Sequence, residues 1–160
     1  MDQVLLINAI KLRLEECSKH EEKIVSAREH LAQFMPLTAE SYFTLDESMS
    51  IYVDLLVYRF SKLQDTLGEH IFILFLQLLQ ENAKKKAFID ILNRLEELDI
   101  LSVTEWISLR ELRNAIAHEY ADDPNETVSA INNIYDKSNQ LIDIYHRIEQ
   151  YLKAKGLLAD

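Results

Sequence analysis

Across 160 residues the chain carries only two glycines and two prolines. Tight turns with positive φ are built most readily from glycine, and proline is the usual breaker of helices. A sandwich or barrel needs a turn signal every 8–12 residues or so, and this chain has no such supply. Leu, Ile, Ala, Glu and Lys are plentiful instead. The sequence therefore predicts an all-α protein, an antiparallel bundle of about five helices joined by short loops. Its length suits one domain over residues 1–160, enough to bury about two-thirds of the unfolded surface.

The helical spacing is punctuated at intervals. A first pattern runs from about Asp2 to Phe34, with Val4, Leu5, Ile7, Ile10, Leu12 and Leu14 supplying apolar positions and Pro36 closing it. Its middle, Glu15 to Glu22, is polar all round and reads as exposed helix or as a break between two helices. Thr44 and Glu47 fit a capping box opening a second pattern, Ile51 to Leu67. Gly68 interrupts that pattern as a kink or C-cap before Glu69–Gln80 resumes. Ala87–Leu98 forms a short helix, and Ser102 with Glu105 fits a second capping box. Asp123, Pro124 and Glu126 stand at N-cap, N1 and N3 of a last helix over about 125 to 155, which Gly156 ends.

Several function classes fall away. The longest apolar run, Ile71 to Leu79 broken by Gln77, is far short of the ~18 residues of a membrane span. No Gly-rich phosphate loop can be built, so P-loop and dinucleotide cofactors are not expected. His20, His30, His70 and His146 are scattered without ligand spacing, and no metal is expected. Lys84-Lys85-Lys86 reads as a solvated helix end. The single Cys17 cannot form an internal disulfide, and with no secretory signal at the start the expectation is a reducing cytoplasm. A formal net charge of −10 opposes nonspecific binding to nucleic acid. A local positive site would need Arg59, Lys62, Arg110 and Arg113 to converge.

Chemistry concentrates in Leu112-Arg113-Asn114-Ala115-Ile116-Ala117-His118-Glu119-Tyr120. Arginine presents a fixed fork of donors suited to a phosphate, and histidine titrates near neutrality. At ~100° per residue, Trp106, Leu112, Ile116 and Tyr120 lie within roughly 60° of Leu109, with Arg113 at the edge of that apolar stripe. His118 lies about 140° from Arg113, on the side of Asn114 and Ile107. A helix apolar on one side and polar-plus-isoleucine on the other is expected to bury both, one against its own bundle and one against a second chain. Read without further context, Arg113 could instead pair with Glu111 or Glu119, and His118 could cap the helix end.

The Arg-Asn-x3-His-Glu-Tyr run resembles the R-x4-H-x-Y signature of HEPN-domain proteins, specifically the small helical toxin encoded beside a minimal nucleotidyltransferase antitoxin. The likeness is sharpest over residues 109–120 and extends faintly to Tyr58-Arg59-Phe60-Ser61-Lys62-Leu63. It implies a HEPN-like fold that dimerises through the motif helix and cleaves RNA without a metal. RNA carries its own nucleophile, the 2′-OH, so the protein need only move protons and stabilise charge. His118 would act as general acid or base, Arg113 would grip the nonbridging oxygens, and Asn114 would orient the imidazole or bond the phosphate. Arg110, Arg59 and Lys62 are candidate phosphate contacts. The products would be a 2′,3′-cyclic phosphate and a 5′-OH, with DNA spared. One imidazole does not readily serve both ends of an in-line displacement, which favours a homodimer with two motifs facing across its axis. The resemblance also implies a nucleotidyltransferase partner that silences the protein by transferring AMP to Tyr120. A reading of another class is a noncatalytic helical adaptor that binds the transferase or presents nucleotide to it.

Overall fold

The computed structural model describes residues 2–117 and 123–160. Seven α-helices are present among them, α1 (Gln3–Leu31), α2 (Ala39–Phe43), α3 (Glu47–Thr66), α4 (Phe72–Leu78), α5 (Phe88–Glu97), α6 (Val103–Ala117) and α7 (Pro124–Ala154). No strand occurs among the described residues. The long α1 and α3 lie against each other, α7 packs on both, and α6 packs on α7 and α3. Buried side chains from α1 and α3 to α7 form one apolar cluster.

The polar stretch Glu15–Glu22 does not break α1, which is continuous through it. Only one face of that stretch needs to be apolar, and Cys17 supplies it, fully buried between the polar residues. Arg28 ties α1 to α7, its Nη1 donating to the Tyr135 carbonyl and to Ser138 Oγ. A two-way amide clamp fixes the segment before α2: Leu37 N donates to Asn132 Oδ1 at 2.9 Å, and Asn132 Nδ2 donates to Leu37 O at 2.9 Å.

The starts of α3, α6 and α7 follow side-chain chemistry, with one correction. Thr44 does not open α3 but stands at the C-cap of α2, whose own capping box is Thr38 with Ser41. The N-cap of α3 is Asp46, which accepts from Met49 N at 2.8 Å. A carboxylate two positions after the expected threonine satisfies the same kind of orphan donor and also favours the positive end of the helix dipole. Ser102 Oγ accepts from Glu105 N at 3.3 Å at the start of α6. Asp123 caps α7 with Pro124 in its first turn.

Helix ends are less visible in sequence. At Gly156, with φ 72°, Leu157 N reaches Leu152 O at 2.9 Å and Gly156 N reaches Lys153 O at 3.0 Å. This is a Schellman turn. The same pair of bonds closes α4 and α5, where Gln80 (φ 64°) and Asp99 (φ 60°) take the left-handed position without being glycine.

Gly68 is not a C-cap. It sits in a π-turn, Leu67–Ile71, that joins α3 to α4 without a loop. A π-turn inserts one residue and shifts the faces of the helix beyond it. Here the turn makes room for Trp106: a Cβ on Gly68 would lie 3.1 Å from Trp106 Cζ2. The indole is fully buried, edge-on to Phe72 at 4.8 Å between ring centroids. Trp106 thereby anchors α6 to the α3–α4 rod and sets which α6 residues face that rod one and two turns later.

Candidate functional site

The expected stripe on α6 is the buried one. Trp106, Leu109 and Ile116 are in the core, and Leu112 packs against it. Arg113, at the edge of the stripe, faces α3 and forks onto Asp65, with Nε to Oδ1 at 3.2 Å and Nη2 to Oδ2 at 3.1 Å. Its partner is therefore neither Glu111 nor, among the described residues, any other acid of its own helix. A neighbour on α3 offers both carboxylate oxygens to the planar fork, which a residue two positions away on the same helix cannot do.

Beside this pair a cleft of about 400 Å³ opens between α3, the π-turn, α5 and α6. Its lining includes Arg110, Arg113 and Asn114 from α6 and Phe88 from α5. Gln64, Asp65, Gly68 and Glu69 complete the wall. Arg110 lies over the Phe88 ring, 5.9 Å from its centroid. Asn114 is exposed and Arg113 half-buried, so both remain reachable from solvent. Gln64 is only 3% exposed, and its Nε2 is buried with no hydrogen-bond partner among the described residues.

Three of the expected site residues, Arg110, Arg113 and Asn114, thus meet in one place. Arg59 and Lys62 do not join them. Arg59 Nη1 bonds His20 Nδ1 at 3.1 Å, and both Arg59 and Lys62 lie near the Tyr58 ring. Burial, then Arg59, hold the His20 pKa below its ordinary 6.5, with Lys62 adding to the effect and Glu16 opposing it. The four-cation convergence is replaced by two separate pairs, because residues 59 and 62 project from α3 toward α1 whereas Gln64 and Asp65 project toward α6. The cleft itself sets Arg110 and Arg113 against Asp65 and Glu69, so its formal charges balance instead of being positive.

His118 and Tyr120 lie outside the described residues, as does Glu119. On the outer side of α6, Ile107 is 43% exposed within the single chain, and Arg110, Glu111 and Asn114 are exposed with it. His146 is paired with Glu21 at 2.7 Å, and His30 stacks on Tyr52 at 3.9 Å. Among the described residues no group of three or more His, Cys, Asp or Glu is disposed to hold a metal ion, and no helix is long and apolar enough to cross a membrane.

Gln64, Asp65, Glu69 and Phe88 were not legible as site residues. Phe88 has the spacing of a core position on α5, and the three α3–α4 residues carry no motif. Only the docking of α6 by Trp106 against Gly68 brings them to Arg113.

No family model, curated protein or solved structure matches the chain.

Proposed function

We propose that this protein is a metal-independent endoribonuclease of HEPN type, the toxin of a toxin–antitoxin pair, acting as a homodimer through α6. The observation that carries the reading is the meeting of Arg110, Arg113 and Asn114 in one solvent-open cleft, with Arg113 held in a fixed direction by Asp65. The Asp65 pair engages Nε and Nη2, which leaves Nη1 outside it for a phosphate oxygen. A guanidinium so oriented costs little reorganisation when charge develops on the nonbridging oxygens. His118 follows Arg113 by five positions and supplies the group that takes the 2′-OH proton or protonates the 5′-oxygen. A second protomer supplies the other imidazole, and the exposed side of α6 around Ile107 is the surface available for that contact. A nucleotidyltransferase antitoxin adding AMP to Tyr120 would place a bulky anion close to Arg113 in sequence and block the RNA phosphate.

A second reading is favoured by one observation. Asp65 and Glu69 balance the two cleft arginines, which weakens the attraction for a polyanion. On that reading the chain is a noncatalytic adaptor that binds a nucleotide or docks the transferase. The two are separated by incubating RNA with wild type and with His118→Ala in excess chelator. Cleavage by wild type alone supports the nuclease; two inert proteins that bind the transferase equally support the adaptor.

A further inference from the structure

Arg59 differs from three other arginines of the chain in what holds it. Arg13, Arg94 and Arg113 each bond a carboxylate, which orients the guanidinium and offsets its charge. Arg59 Nη1 instead donates to Nδ1 of His20 at 3.1 Å, so a neutral ring orients it and its charge stays whole. Lys62, about one turn further along α3, is exposed. The two cations flank the Tyr58 ring, at 5.6 and 5.7 Å from its centroid. Neither forms an ion pair among the described residues. In a chain of formal charge −10, two adjacent cations without acids are a local exception. Part of the Arg59 fork is also open. Its Nε is sealed, but among the described residues Nη2 makes no hydrogen bond and does not belong to the buried polar atoms that lack one, so it reaches solvent. The same field acts on His20, whose pKa burial and then Arg59 hold below 6.5, with Lys62 adding and Glu16 opposing. Glu16 is itself bonded to Arg13.

Resting on the ribonuclease reading above, we propose that Arg59 and Lys62 form a second phosphate-binding patch, which holds the RNA strand beside the Arg113 cleft. The ligand is a backbone phosphodiester, gripped by the open edge of the Arg59 fork and by the Lys62 ammonium. Their placement on α3 supports a continuous path. On an ideal helix Lys62 lies ~4.5 Å and ~60° from Asp65, the residue that orients Arg113. Arg59 lies one equal step beyond it in the same sense. Cationic positions thus wind along one rod from the cleft toward α1. The patch is a ridge with two point charges, which suits a polymer bound at several phosphates more than a lone mononucleotide. It also supplies the attraction for a polyanion that the charge-balanced cleft lacks. His20 is a positioning residue here, since it directs Arg59 without neutralising it.

The test is binding of a 2′-O-methyl oligoribonucleotide, which lacks the nucleophile and is not cut, by fluorescence anisotropy from about 50 to 200 mM salt. Full-length wild type is compared with Arg59→Gln, Lys62→Gln and Lys155→Gln. Each patch variant should weaken binding about threefold or more at the lowest salt. Each should also flatten the slope of log Kd on log salt by about 0.7, the counterion release of one single-strand phosphate contact. Lys155→Gln removes the same charge at the C-terminal end of α7 and should do neither. Lys62 is exposed, so its variant folds even where Arg59→Gln does not. Wild type gives a readout free of any substitution. The His20 ring titration, followed by NMR, should move to higher pH when the oligonucleotide is added, because a bound phosphate offsets the cations opposing protonation. Inorganic phosphate at the same concentration should leave it in place. An equal response to inorganic phosphate, an unmoved His20, or variants whose affinity and slope match wild type or Lys155→Gln overturns the patch. Cleavage of natural RNA by wild type with unaltered binding in the variants removes the patch and leaves the nuclease. The predicted binding losses without any cleavage leave the patch and remove the nuclease.

Discussion

Arg113 of α6 and Asp65 of α3 face each other through two parallel hydrogen bonds, Nε–Oδ1 at 3.2 Å and Nη2–Oδ2 at 3.1 Å. A fork-to-fork pair fixes the plane of the guanidinium as well as its position. Both side chains are 29% exposed, so the pair is partly screened, and its worth to stability is small, about 1 kcal/mol or less. Its larger consequence is directional.

Asp65→Asn tests that consequence. The amide keeps the shape and one acceptor but loses the charge and the second parallel bond. On the nuclease reading, kcat on RNA should fall about tenfold while KM stays within about twofold, the mark of lost positioning in the transition state. A rise in RNA affinity with unchanged kcat would mean that Asp65 merely neutralises the arginine.

The His20–Arg59 contact predicts a pH dependence of stability. Arg59 donates to His20 Nδ1, which requires the imidazole to be neutral. Burial and the two neighbouring cations lower the folded pKa below the ordinary 6.5. Above 6.5 the ring is neutral folded and unfolded, and the contact is intact. As pH falls below 6.5 the unfolded chain takes up a proton before the folded one does, so stability drops. Denaturant midpoints measured from pH 7.5 down to pH 5 should fall further for wild type than for His20→Gln. Parallel curves would refute the contact.

The Schellman turn ending α4 places Gln80 at φ 64°. An L side chain in the left-handed region costs roughly 1 kcal/mol, which glycine avoids at the expense of a more mobile unfolded chain. Gln80→Gly should therefore raise the unfolding free energy by a net of about 0.5 kcal/mol, read from urea denaturation. A loss of 1 kcal/mol or more would show that the Gln80 side chain contributes contacts of its own.

How far the sequence reaches can be seen residue by residue. The helical class follows from the scarcity of glycine and proline and from 3.6-residue spacing, and the buried stripe Trp106, Leu109 and Ile116 lies where that spacing puts it. The stop of α7 at Gly156 was legible for the same reason. The stops of α4 and α5 were less so, because Gln80 and Asp99 occupy positions that glycine ordinarily marks. The π-turn at Gly68 was hidden because its cause is tertiary: Trp106, far along the chain, needs the space a Cβ would take. Arg113 and Asn114 were found from a local pattern, whereas Gln64, Asp65 and Glu69 become site residues only through helix docking. The separation of Arg59 and Lys62 from the motif is of the same kind, since the side of α3 from which they project is set by where α1 packs.

The central claim is that Arg113 and His118 act on one RNA phosphate. It is tested most directly by the chemical ends of RNA treated with the pure protein in excess chelator, analysed by mass spectrometry for wild type, Arg113→Ala and His118→Ala. The account predicts fragments with 2′,3′-cyclic phosphate and 5′-OH ends from wild type, and at least a hundredfold slower cleavage by each variant, the scale expected for loss of a proton-transfer or charge-stabilising group. Intact RNA after prolonged incubation with wild type, or equal cleavage by all three proteins, would contradict it.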